Sequence, residues 1–117
     1  MAVNRIVPNI LSADIGRSRD FYVDFLGLEI VLAMDWIVTF ASPDHPELQV
    51  SLITRDETAP VVADMSVEVE RVDEVYHQAL SRGIEIVYPL TDELWGVRRF
   101  FVRDPNGKIV NIVSHHS

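Results

Sequence analysis

Gly27-Leu28-Glu29-Ile30-Val31 returns 56 residues later as Gly83-Ile84-Glu85-Ile86-Val87. Each copy closes a stretch of helical periodicity. Before the first, Phe21 and Phe25 stand four apart with Tyr22 and Leu26 beside them, which gives residues 16–26 one apolar face. Asp14 and Ser18 are its candidate caps. Before the second, Val72, Val75, Tyr76, Ala79 and Leu80 fall at i, i+3, i+4, i+7 and i+8 across 72–82. In both places the glycine sits where a helix terminates in a left-handed residue. A tryptophan opens each post-helix region, Trp36 and Trp95, and Ser42-Pro43-Asp44 echoes Asp104-Pro105-Asn106. A match at the same place in two units of equal length is the signature of an internal repeat, which outranks any local signal.

Outward from the repeat, extended segments fall into the same order twice. In the first half they are 5–11, then after the helix 28–32, 36–41 and 48–53. In the second they are 65–69, then 84–87, 98–103 and 109–114. Asp104-Pro105-Asn106-Gly107 is a tight turn, with proline fixing φ and glycine free to take a left-handed value. Residues 88–97, with Pro89 and Gly96, read as a loop. The polar run from Thr54 to Pro60 marks a linker, set at 54–63, between a first module at 5–53 and a second at 64–114 within one domain, 1–117. Strand, helix, three strands, twice, predicts an α+β fold of two βαβββ modules. Two helices are too few for a doubly wound sheet, and eight strands too many for the four-stranded ferredoxin-like order.

Composition removes several function classes. The 117 residues contain no cysteine, so there is no disulfide, thiolate nucleophile or cysteine-ligated metal. A net charge of −8 with scattered arginines repels phosphate backbones, so nucleic acid is not an expected partner. No apolar run is long enough for a membrane span, the N-terminal apolar stretch is too short for a signal peptide, and a cytoplasmic location is expected. There is no nucleophile elbow and no glycine-rich phosphate loop. Lys108 follows a turn glycine without any sign of the desolvation an adduct-forming lysine needs. His45 sits in a proline-flanked turn, His77 on the second helix, and His115 and His116 read as a solvated tail.

Ser12-Ala13-Asp14, the helix text Ser18 to Leu28, Val72-Asp73-Glu74-Val75-Tyr76 and the closing run from Trp95 to Gly107 together resemble the vicinal-oxygen-chelate superfamily of glyoxalases, bleomycin resistance proteins and dioxygenases. The resemblance covers nearly the whole chain. It is nearest to the small glyoxalase-like and bleomycin-resistance-like members. It implies that the modules form a curved mixed sheet, a cup around a small-molecule pocket, paired within one chain or across a swapped homodimer.

Matched motif by motif, the superfamily's first metal-holding position falls on Val7, its second-module counterpart on Asp64, and the last-strand glutamate on Asn111, with Gln49 as its first-module echo. Valine cannot coordinate, and one carboxylate with two amides is a poor set for a divalent ion. The resemblance therefore implies no metal and no cofactor here. If those strands face the cup, a period of two turns Val7, Asn9 and Leu11 inward, with Gln49, Ser51 and Ile53, with Asp64, Ser66 and Glu68, and with Asn111 and Val113. Ile10, Val50, Val67 and Ile112 then pack under the helices. Trp36 and Trp95 are candidate ligand walls or, equally, core packing. Arg98 is a candidate partner for an anionic ligand or a surface ion pair, and Arg99 has the opposite parity. The expected function is metal-independent binding of a small molecule, as in ligand sequestration. The alternative is a lyase or isomerase of the glyoxalase type, or another enzyme, using Asp64 or Glu68 as base. Whether the chain catalyses anything is left open.

Overall fold

The computed structural model describes residues 2–115. Its elements follow the repeat. The first module runs β1 (Val3–Leu11), α1 (Ile15–Arg19) continuing as a π-helical segment (Asp20–Phe25), β2 (Glu29–Met34), β3 (Ile37–Ala41) and β4 (Gln49–Ile53). The second runs β5 (Met65–Val69), α2 (Val72–Ser81), β6 (Ile86–Asp92), β7 (Val97–Arg103) and β8 (Ile109–His115). Two packing units result: residues 7–62, and residues 2–6 with 63–115.

Within the first unit the strands lie in the order β2-β3-β4-β1, antiparallel except for the parallel pair β1/β4, where Asn9 stands opposite Ser51. Within the second the order is β5-β8-β7-β6, again antiparallel except for parallel β5/β8, where Ser66 stands opposite Asn111. In each module the helix links the first strand to an outer hairpin, and the last strand returns beside the first. The chain is thus an α+β fold of two βαβββ modules.

Each helix covers one face of its own sheet. Tyr22 stacks on Phe40 at 5.4 Å, and Tyr76 meets Phe100 edge-on at 4.9 Å. Phe40 and Phe100 are fully buried, each at the centre of its core cluster. Such rings bury a large apolar area and add a directional aromatic contact. Val50, Val67 and Ile112 pack under the helices, but Ile10 is 41 % exposed, and among the described residues no β1 residue joins the first module's cluster. Leu80, at the end of the predicted stripe, is half exposed.

Three local expectations change. Asp14 caps α1, its Oδ1 accepting from the Arg17 N–H at 3.1 Å, whereas the Ser18 hydroxyl donates to the Asp14 carbonyl from inside the helix. Of the predicted apolar face, Tyr22 packs as expected, joined by Val23, whereas Phe21, Phe25 and Leu26 are exposed. The cause is the wider winding: the Leu26 N–H reaches back to the Phe21 carbonyl, an i→i+5 bond that rotates the face away from a 3.6-residue period. Residues 88–92 are strand rather than loop. β6 carries Pro89 past a register shift and pairs Thr91 with Arg99 and Asp92 with Arg98.

Candidate functional site

The face of the second module turned away from α2 carries its polar chemistry. Alternation sends Val67, Val69, Phe100, Val102 and Ile112 under the helix and leaves Ser66, Glu68, Arg99, Phe101, Asn111, Val113 and His115 on the other side. The register lines these into rows. Ser66, Asn111, Phe101 and Tyr88 form one; Glu68, Val113, Arg99 and Thr91 form the next.

Arg99 is buried, with its side chain 3 % exposed, beside Glu93, whose side chain is 4 % exposed. Its Nε and Nη2 both donate to Glu93 Oε2, at 3.0 and 2.7 Å, and the Tyr88 hydroxyl donates to Glu93 Oε1 at 3.1 Å. The guanidinium carbon lies 5.0 Å from the Phe101 ring, 5.1 Å from Trp95 and 5.6 Å from Tyr88. Burying two charges is costly unless they are paired and hydrogen-bonded, and here both conditions hold. Each ring face adds about 0.5–2 kcal/mol of cation–π attraction. The hairpin that carries Glu93 and Trp95 closes through Glu93 N–H to Val97 carbonyl at 2.8 Å, with Gly96 at φ +102. A side chain at that φ would be strained.

At the β5 end of the row that holds Arg99, Glu68 Oε2 accepts from Arg5 Nη2 at 3.1 Å and also pairs with His115 Nδ1. In the neighbouring row, Asn111 is 7 % exposed and its Nδ2 donates to Ser66 Oγ at 3.0 Å. Asn111 Oδ1 is buried and accepts from no group among the described residues.

The residues singled out from sequence divide accordingly. Ser66, Glu68, Trp95 and Asn111 come together on this second-module face or at its hairpin. Asp64 stands at the exposed head of β5, where its Oδ2 accepts from the Ile109 N–H at 2.8 Å and its own N–H donates to the Ile109 carbonyl, tying β5 to β8. In the first module, Val7 and Trp36 are buried and Asn9 is half-buried opposite Ser51. Gln49 Nε2 donates to the Pro46 carbonyl at 2.9 Å, bracing its own turn.

Arg98 does not belong to this face. It lies on the helix side of β7, where its Nε and Nη2 donate to the Asp73 carboxylate on α2 at 2.7 and 3.3 Å, and its Nη1 pairs with Asp92 at 3.2 Å. Arg98 holds Asp73 below the usual carboxylate range through that hydrogen bond, and Asp73 in turn raises Arg98. Parity decides the matter: Phe100 packs under α2, so Arg98 shares its side and Arg99 takes the other. Sequence reading also passed over Arg5, Tyr88, Glu93 and His115 as face residues. Glu93 was hidden inside what read as a loop, and His115 in what read as a tail. His116 lies outside the described residues.

The metal-holding positions implied by the superfamily do not fit a divalent ion. Val7 has no donor atom, Asp64 already accepts from the Ile109 N–H, and Gln49 and Asn111 offer only neutral amide oxygens in place of charged or imidazole ligands. Among the described residues no three His, Cys, Asp or Glu side chains are grouped to hold one. No helix of the described residues is long and apolar enough to cross a membrane.

The repeated βαβββ module and a polar sheet face define an α+β protein of the two-module glyoxalase type. The model of the Glyoxalase/Bleomycin resistance protein/Dioxygenase superfamily matches residues 2–112, and the chain belongs to that superfamily. A superfamily member from Vibrio splendidus 12B01 is similar in fold, at TM-score 0.71 and 22 % identity over 97 % of this chain and 99 % of that one. So is the Streptomyces coelicolor methylmalonyl-CoA epimerase, at 0.74 and 17 % over 99 % and 100 %. A Legionella pneumophila protein described as an NAD-dependent benzaldehyde dehydrogenase matches at 0.74 and 21 % over 94 % and 98 %. At these identities the likeness is one of fold. No curated protein matches the chain by sequence.

Proposed function

We propose that the protein binds a small molecule without a metal, on the face of the second module turned away from α2, and that sequestration of that molecule is its activity. The observation that supports this best is the row Ser66–Asn111–Phe101–Tyr88. A buried amide with an open acceptor sits there beside aromatic rings. Such convergence of a few polar groups with apolar walls is the usual composition of a small-molecule site. Trp95, held against Arg99, is the proposed wall. Val7, Asn9, Trp36 and Gln49 are proposed as ligand contacts of the first module by itself. The proposed assembly is a homodimer, and the proposed location is the cytoplasm.

An enzymatic reading has one supporting observation, the pairing of Glu68 with His115, which sets a carboxylate beside an imidazole as proton-transfer chemistry requires. Asp64 is the weaker base because its carboxylate braces β8. Native mass spectrometry of the purified protein, followed by denaturation and identification of whatever is released, tests the binding reading. A stoichiometric small molecule is expected, with occupancy lost in Trp95→Ala and kept in Asp64→Asn. Release of nothing, or equal occupancy in wild type and Trp95→Ala, would sink it. Consumption of the released molecule by wild type but not by Glu68→Gln would move the assignment to catalysis.

A further inference from the structure

We infer that Asn111 reads a hydrogen-bond donor on the bound molecule, and that the ligand class is a neutral, largely apolar compound bearing an N–H or O–H, of the phenol or lactam kind. This rests on the reading that the second-module face binds a small molecule, and it names what that face selects.

The amide of Asn111 offers two donors and an acceptor oxygen with two lone pairs. Its nitrogen is committed to Ser66 Oγ at 3.0 Å, while its oxygen is buried and, among the described residues, accepts from nothing. A buried acceptor left unmet is destabilising, and native proteins almost always satisfy such atoms. An apolar side chain of the same shape would remove the penalty, so an amide here is a feature that a ligand donor explains. The neighbours set the ligand's other properties. Across the ladder from Asn111 stands Phe101, with the Tyr88 ring centroid 5.2 Å from its own, and two residues along the same face of β8 is Val113. These favour a flat, apolar body. The charged groups of this face have their counter-charges within the protein. Glu68 has Arg5, with the His115 imidazole also against it, and Arg99 has Glu93. A charged ligand would give up its hydration to meet groups already neutralised, whereas a neutral donor meets an open acceptor.

Matched probes test this on the full chain. Phenol is paired with anisole, and 2-pyrrolidinone with N-methyl-2-pyrrolidinone; each pair exchanges the donor hydrogen for a methyl group, and the Asn111→Leu ratio below controls for the added bulk. Amide chemical shifts of β5, β7 and β8 are followed by NMR through the titration, with the side-chain amide of Asn111 as the direct reporter. The donor-bearing member of each pair is expected to bind about tenfold tighter or more. Asn111→Leu is expected to erase that ratio and, without ligand, to melt a few degrees higher than wild type, since it removes an unmet acceptor. Asn111→Asp keeps an acceptor and is expected to keep the preference. Equal affinities within both pairs, with shifts on this face, would overturn the donor-reading role and leave the small-molecule reading standing. Shifts nowhere on this face with any probe would overturn both. A lower melting point for Asn111→Leu together with an unchanged ratio would reduce Asn111 to packing.

Discussion

The two modules share one topology and hold it together by different chemistry. On the face turned away from the helix, the first module has a neutral pair, Thr39 Oγ1 and Ser51 Oγ at 2.7 Å, both residues buried. The second has the Arg99–Glu93 ion pair and the Glu68 cluster. The helices differ in the same sense. α2 ends in the two bonds of a Schellman closure, Ile84 N–H to the Ala79 carbonyl and Gly83 N–H to the Leu80 carbonyl, and buries Val72 and Ala79. The first helix ends one residue wider, with Leu28 N–H to the Tyr22 carbonyl, and buries no residue fully. A duplicated fold constrains strand order and the apolar core; the polar face is free to diverge.

The strongest way to break this contrast is Arg99→Met. It leaves the Glu93 carboxylate buried without its main counter-charge, and removing one partner of a buried pair costs about 3–5 kcal/mol. Urea unfolding should report that loss, and the double change Arg99→Met with Glu93→Leu should recover most of it. A double change as damaging as the single would mean that the pair contributes more than its own desolvation. Next comes Thr39→Val in the first module, which strands a buried Ser51 hydroxyl; the expected loss is about 1–3 kcal/mol. If it matched Arg99→Met, the two faces would not differ in kind. Smaller still is the capping contrast. Asp14→Ala removes the side-chain bond to the Arg17 N–H and should cost about 0.5–2 kcal/mol. Arg71→Ala, at the start of α2 where no side chain caps, should change stability by less than about 0.5 kcal/mol. Equal melting temperatures for the two variants would remove the cap from the first helix's stability.

The fold was legible because its determinants are local and periodic. Gly27 and Gly83 take φ of +75 and +68, values that glycine adopts at little cost, so the repeat of glycines reported two helix ends directly. Tyr22 and Tyr76 read as core and are core. The proposed site was legible only in part. Ser66 and Asn111 follow from strand alternation, but choosing Arg99 over Arg98 required knowing which neighbour packs under α2, and Phe100 and Phe101 look alike in sequence. The contact of Glu93 with Arg99 depends on the hairpin register, which Pro89 and a shifted ladder set and no motif signals. The exposure of Phe21 and Phe25 was hidden for a related reason: a single i→i+5 turn moves an apolar face without altering the pattern that predicts it.

The finest contrast between the modules lies in acid. Asp73 and Asp104, both in the second module, are the carboxylates held clearly below the ordinary range. For Asp73 the main cause is the hydrogen bond from Arg98; for Asp104 it is the N–H of Lys108, with that of Asn106 helping, both at 2.8 Å to Oδ1. A carboxyl whose folded pKa lies below its unfolded one, near 3.9, adds stability that is fully present above the unfolded value. That stability is lost as pH falls through the folded one. Carboxyl-carbon NMR titration should therefore place both midpoints below that of an unstructured aspartate. Hydrogen exchange on acidification should loosen the Asp104 turn and the α2–β7 contact before the Thr39–Ser51 region of the first module. Asp104→Asn, which keeps an acceptor but cannot titrate, should flatten the turn's response while leaving that at Asp73 intact. Simultaneous loosening of both modules, or an Asp104 midpoint at the ordinary value, would show that the two modules answer to acid alike.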